Sequence, residues 1–174
     1  VFYTYNGDRI DLGRNDVHGW YCFRYSDDGG RTWSPRRRIP MRITACDRDN
    51  PRTAPGGKPV QMFWGIDKPS VAGAAVYFAF TKLGRYFLKD GEGWVYRSDN
   101  LLSARDPAAI RWRLLPAGDR GIRGAAFGSV QEEHNLVPLG PGRLYCVYRT
   151  TKGYPCHTRS ADGGETWEEP VPMT

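Results

Sequence analysis

The chain has 174 residues, 40% of them apolar, which is enough for one sizeable core and short for two independent domains. Its 21 Gly, 13 Pro, 7 Phe, 6 Trp and 10 Tyr, against 3 Met, favour short strands and tight turns over long helices, and no stretch approaches the roughly 20 apolar residues of a membrane helix. The net charge of +6 is concentrated in one segment, where Arg31, Arg36, Arg37, Arg38, Arg42, Arg48 and Arg52 meet only Asp47 and Asp49; with no nucleic-acid-binding motif, and amid Pro35, Pro40 and Pro51, it reads as a solvated loop and not as a footprint on DNA or RNA.

Along the chain, Val1 to Tyr5 is already a strand-like run, and a start at Val in mid-strand reads as a cut from something longer, with no secretion leader in this sequence. A strand expected near 20–25 leads into the phrase Tyr25-Ser26-Asp27-Asp28-Gly29-Gly30-Arg31-Thr32-Trp33. After the basic segment come Asp67-Lys68-Pro69-Ser70-Val71 and a strand over 76–82. A further strand over 93–97 opens a worn copy of the phrase at Ser98-Asp99-Asn100, whose insertion ends at Ile110-Arg111-Trp112. Glu132-Glu133-His134-Asn135-Leu136 then leads into strands near 134–139 and 143–150, and a last strand over 154–159 runs into Arg159-Ser160-Ala161-Asp162-Gly163-Gly164-Glu165-Thr166-Trp167.

The repetition decides the architecture. Ser26, Ser98 and Ser160 are spaced by 72 residues (98 minus 26) and 62 (160 minus 98), which suits one insertion-bearing four-stranded blade each. The expected fold is all-β, a β-propeller of which about three blades of antiparallel sheet are present in an incomplete ring. The units fall near 1–60, 61–125 and 126–174, and Val1 to Tyr5 is the second strand of a blade whose first strand is missing.

The nonapeptide has a physical explanation as a turn. A Ser hydroxyl and an Asp carboxylate accept backbone N–H groups of a tight hairpin, consecutive glycines supply positive φ, and the Trp packs beneath, buried. Ser26, Asp28, Gly30, Thr32 and Trp33, with Ser160, Asp162, Gly164, Thr166 and Trp167, are therefore structural residues; EF-hand spacing is absent and no metal is assigned to them. Cys22, Cys46, Cys146 and Cys156 show no C-x-x-C spacing. Cys146 and Cys156 flank an expected hairpin at Thr151 to Gly153, and stand either as a disulfide in an oxidising compartment or as buried thiols.

Both intact phrases satisfy Ser-x-Asp-x-Gly-x-Thr-Trp, and in this the sequence resembles the sialidase (neuraminidase) superfamily with its Asp-box, or BNR, repeat. The resemblance implies a propeller, usually six-bladed, with Asp boxes on hairpins away from the substrate face. A second likeness runs from Glu133 through an apolar strand and the turn Gly142-Arg143-Leu144 to a strand ending Tyr148-Arg149. In that family the anomeric carbon bears a carboxylate, so a neutral Tyr activated by a Glu suits the reaction better than an anionic nucleophile, and arginines clamp the carboxylate. Glu133 resembles that Glu, and Arg149 one of those arginines; a structural ion pair across neighbouring strands is the alternative for both. Arg38-Ile39-Pro40 follows a box where the family's Arg-Ile-Pro phrase precedes it, and reads as the chain leaving a hairpin.

No tyrosine is assigned as nucleophile; Asp16 and Asp67 stand as open candidates for the acid, Asp67 also for substrate binding, and Glu133, His134, Arg149, Asp67 and Lys68 are expected at inner-strand ends on one face opposite the boxes. His134, and Lys68 at the aligned place in the preceding unit, fall outside the sialidase pattern and suggest a pocket for a uronic acid or sulfated sugar. His18, beside Gly19-Trp20, is either a further substrate-binding residue or a hydrogen-bonded loop histidine. Three functions stay open on the sequence: an exo-sialidase-type glycoside hydrolase using Glu133 and Arg149, a uronate lyase with His134 or a Tyr as base, and a non-catalytic carbohydrate-binding propeller. The expected partner is an acidic glycan, with no cofactor, metal, nucleic acid or membrane span, in an extracellular or periplasmic setting. The activity is expected of a full-length parent, residues 1–174 alone being expected to be inactive, and oligomeric state is open.

Overall fold

Runs rich in aromatic and β-branched residues form strands here, and Gly-containing turns separate them. The computed structural model describes residues 2–5, 20–50, 53–54, 58–59, 61, 63–85, 90–128 and 130–173. Every strand pairing is antiparallel. The first sheet has the order β1 (Phe2–Tyr5), β2 (Trp20–Phe23), β3 (Arg37–Arg38). A short helix α1 (Ala45–Arg48) and a two-residue ladder of β4 (Thr53–Ala54) with β5 (Lys58–Pro59) follow.

In the second sheet, β6 (Phe63–Trp64) and β7 (Ser70–Ala72) both pair with β8 (Ala75–Lys82), and β9 (Glu92–Ser98) and β10 (Arg113–Leu115) continue outward. The third has the order β11 (Val130–Gly140), β12 (Arg143–Thr150), β13 (Pro155–Ser160), β14 (Val171–Pro172). Among the described residues no helix is long and apolar enough to cross a membrane.

The sheets stack face to face as propeller blades do, and the ring is open. Alternation along β8 explains the stacking, because successive side chains point to opposite faces. Phe78 and Phe80 pack with Tyr96 and Trp94 against Tyr21, Phe23 and Ile39 of the first sheet and its exit. Tyr77 and Ala79 pack with Val95 and Leu115 against Leu136, Leu144, Cys146 and Tyr148 of the third. With both faces covered, β8 is buried along its whole length. β12 alternates instead, one face buried and the other partly exposed.

The two nonapeptides fold as one and the same turn. Ser26 Oγ accepts from Gly30 N at 2.8 Å and Asp28 Oδ1 from Thr32 N at 2.9 Å; in the second copy Ser160 Oγ accepts from Gly164 N at 2.9 Å and Asp162 Oδ1 from Thr166 N at 3.0 Å. Trp33 Nε1 donates to Gly30 O and Trp167 Nε1 to Gly164 O. These bonds hold both carboxyls down at a pKa of about 2, through Thr32 and Ser26 at Asp28 and, against some desolvation, through Thr166 and Ser160 at Asp162. In the worn copy Asn100 takes the Asp's place, its Oδ1 accepting from Arg111 N at 3.0 Å across the insertion. Asp162→Ala is expected to cost about 0.5–2 kcal/mol, like other lost side-chain caps. Urea unfolding checks this, and an unchanged midpoint would contradict it.

Two expectations are corrected. Trp33 is not buried but 45% exposed, because the turn supplies the indole's hydrogen bond while a neighbouring sheet must supply its cover; Trp167 is half-buried, packed against the core between the second and third sheets. The basic segment is no solvated loop: Ile39, Met41, Thr44 to Asp47 and Asn50 are buried. Arg42 makes this possible by donating to the carbonyls of Leu114, Pro116 and Gly118, tying the segment to the second sheet. Of the two readings left open for Cys146 and Cys156, the structure has the buried free thiols; the two do not oppose each other, since Cys146 pairs with Thr158 and Cys156 with Tyr148.

Candidate functional site

The register fixes which residues share an end of the sheets. Ser160 pairs with Leu144 at one end of β12, whereas Arg149 lies at the other, and His134 opposite Tyr148 sets Glu133 beside Arg149. In the second sheet Ser98 pairs with Val76, so Thr81, Lys82 and Glu92 lie at the end away from the turn. His134 touches Thr81 across the two sheets, so both far ends form one face, opposite the nonapeptide turns.

On that face Arg149 Nη1 donates to Glu133 Oε1 at 2.9 Å, with the side chains 53% and 43% exposed respectively. A pair this exposed contributes about 0–1 kcal/mol and opens at little cost. Arg149 also borders a surface recess of about 500 Å³, shared with Thr150, Thr151, Gly153, Tyr154 and Pro155. The two groups stand on the outward face of β11 and β12.

His134, one residue on, points the other way into the core between the sheets. Its Nδ1 lies 3.0 Å from Thr81 Oγ1, and its Nε2 has no partner among the described residues. The backbone of Gly93 packs so closely on that nitrogen that a Cβ there would overlap it. Burial pushes the His134 pKa down to about 3, so the ring is neutral at ordinary pH.

Asp67 lies midway along β8, not at its end. The inner strand of the second sheet breaks between β6 and β7, and Asp67 Oδ2 takes up the freed Ala79 N–H at 2.7 Å while Oδ1 accepts from Lys68 N at 2.9 Å. Burial raises its pKa to about 6 despite the N–H groups of Ala79, Lys68 and Leu136. The Lys68 side chain is exposed. His18 and Asp16 lie outside the described residues. The structure thus joins Glu133 with Arg149, and sets His134, Asp67 and Lys68 apart from that pair.

Sequence reasoning missed a second polar cluster on the same face. Lys82 Nζ is fully buried and donates to Asp47 Oδ2 at 2.6 Å, Arg42 O at 2.6 Å and Thr44 Oγ1 at 3.2 Å. Nearby, buried Glu92 accepts from Gly121 N at 3.0 Å and from Arg120 at 3.4 Å, and Arg120 also pairs with Asp49 at 3.1 Å. Burial raises the Glu92 pKa. Glu92, Arg120 and Asp49 edge a cleft of about 250 Å³ with Cys46, Arg85, Asp90 and Arg123. The one available signal was a lysine closing the otherwise apolar run Ala75 to Thr81.

No protein-family model matches the sequence, and no curated protein matches it. Solved structures do resemble the fold. A mutant of the NanB sialidase from Streptococcus pneumoniae superposes with a TM-score of 0.55 at 19% identity, covering 89% of this chain and 19% of that one. A Hadza microbial sialidase, Hz136, superposes with a TM-score of 0.51 at 15% identity, covering 86% and 24%. The chain therefore spans about a fifth to a quarter of the length of these proteins. At such identities the likeness concerns the fold: the chain is part of a sialidase-type β-propeller.

Proposed function

We propose that the full-length parent of this chain works as a sialidase-like glycoside hydrolase of exo-α type on terminal acidic sugars, with units near 1–60, 61–125 and 126–174 among its blades. The observation that carries the reading is the exposed Glu133–Arg149 pair at the recess, on the face opposite the turns. A substrate carboxylate competes for the Arg149 guanidinium, whose planar fork suits it, and frees Glu133 to take the proton of a tyrosine nucleophile supplied by another part of the ring. His134, neutral and walled in by Gly93, offers a uronate lyase no base at this recess. Work on surface glycans fits an extracellular or periplasmic protein.

A propeller pocket is assembled from all its blades, so residues 1–174 alone are expected to show no turnover. The test is incubation of the full-length parent with sialylated and uronate-containing glycans, read by mass spectrometry and ultraviolet absorbance. The expected result is a free acidic sugar, with Arg149→Ala lowering kcat/KM about 100-fold while melting is unchanged. A product with a new double bond, or retention of glycan without turnover, overturns the hydrolase.

A further inference from the structure

The basic segment and the insertion of the worn turn phrase meet in a groove of about 380 Å³ that the hydrolase does not use. Phe23 of β2 with Arg37 and Arg38 of β3 form one side, and Ile110, Arg111 and Trp112 the other. The groove lies at the turn end of the first and second sheets, because Phe23 runs into the Ser26–Trp33 turn and Arg113 pairs with Arg97, beside Ser98. Its two sides are already packed on one core, in which Tyr21, Phe23 and Ile39 meet Tyr96, Ile110 and Trp112.

Both walls are held in place by the fold itself. Cys22 pairs with Arg38 and Phe23 with Arg37, which fixes β3. Opposite, Asn100 Oδ1 accepts from Arg111 N at 3.0 Å and Asn100 Nδ2 donates to Ala109 O at 2.9 Å, so one side chain closes the insertion. The half-buried Trp112 ring meets those of Phe78 and Tyr96 nearly edge-on, with centroids 5.7 and 6.2 Å away. A wall fixed in advance spares a ligand the cost of ordering it. Among the described residues, every charged residue lining the groove is an arginine. Asp106, next in sequence to this wall, is engaged in its own turn, where it accepts from Ala108 N at 2.8 Å.

We propose that this groove binds a sulfated oligosaccharide, at a site separate from the Glu133–Arg149 recess and independent of the reaction there. The apolar sides of Trp112 and Ile110 suit the C–H face of a sugar ring, and guanidinium forks suit sulfate oxygens. Three cations around room for about two rings match sulfated sugars, which carry more than one anion on a ring, better than a uronate chain with one on each. A nucleic-acid strand is matched less well, since it calls for a succession of stacking platforms and Phe23 beside Trp112 is buried.

The test is calorimetric titration of the full-length parent with a heparin hexasaccharide, a readout independent of turnover. Micromolar binding is expected, with neutral maltohexaose giving no heat and hexagalacturonate binding about 10-fold more weakly or worse. Arg37→Ser and Arg111→Ser are each expected to weaken the hexasaccharide about 10- to 100-fold, the effect of losing a charged hydrogen bond, with circular dichroism unchanged. Arg149→Ala should leave this binding as it is, which separates the groove from the recess. Absence of binding at millimolar hexasaccharide overturns the proposal, as does hexagalacturonate binding equally well. So does tighter binding of an oligodeoxythymidylate or a polyglutamate peptide, or hexasaccharide binding that survives both arginine changes or is lost with Arg149→Ala.

Discussion

Asp47→Ala is expected to destabilise the fold by about 3–5 kcal/mol, the cost of leaving a buried ammonium without its counter-ion. Lys82 is 0% exposed, and among the described residues its Nζ meets only two further acceptors, Arg42 O and Thr44 Oγ1. Burial lowers its pKa and Asp47 works against that, so removing Asp47 leaves the charge to desolvation alone. Asp47 also accepts from Thr44 N at 2.8 Å and from Thr44 Oγ1 at 3.1 Å, so the first turn of α1 loosens with it. The loss is a large part of the 5–15 kcal/mol a domain usually has. Replacing both partners, Asp47→Leu with Lys82→Met, should recover most of it, because two apolar groups leave no charge unpaired. Urea unfolding of the single and double variants decides the matter. A single variant within about 1 kcal/mol of the starting protein, or a double variant no better than the single, would sink the account.

What was legible in the sequence is what the chain encodes locally. Ser26 bonds to Gly30, and Asp28 to Thr32, four residues away, so the turn is written in nine residues and repeats wherever they repeat. β8 was likewise visible as a strand over 76–82, from the apolar run Val76 to Phe80. The Lys82–Asp47 and Glu92–Arg120 contacts join residues 35 and 28 positions apart, and nothing in either segment announces its partner. Asp67 shows the opposite failure. An acidic residue before an inner strand has the form of a site residue, yet here it replaces the missing ladder bond of a broken strand. Trp33 and Trp167 carry the same local instructions and differ in burial, because burial is decided by what the next sheet covers.

Asp67→Asn is expected to stabilise the protein more at pH 7 than at pH 4, by a difference of about 3 kcal/mol. The folded Asp67 carboxyl has its pKa raised from 3.8 to about 6, so the folded state binds a proton that the unfolded chain refuses across that window. Its burial therefore costs stability above pH 6 and is relieved as pH falls, at about 1.4 kcal/mol per unit. His134 runs the other way. Its pKa falls from 6.5 to about 3 on folding, so stability is full above pH 6.5 and is lost toward pH 3 as the unfolded imidazole takes up protons. Between pH 6 and about 4 the two slopes cancel in the unaltered protein. Asn at 67 keeps an acceptor for the Ala79 N–H but cannot titrate, so it uncovers the His134 slope. His134→Gln should do the reverse, leaving a protein that gains stability relative to the original as pH falls from 6 to 4. Asp28 and Asp162, held at about 2, add their loss below pH 4 to every variant alike and drop out of the differences. Urea midpoints at pH 7, 5 and 4 supply the comparison. Profiles for Asp67→Asn and the unaltered protein that stay parallel over this range would show that Asp67 is not the buried acid the fold makes of it.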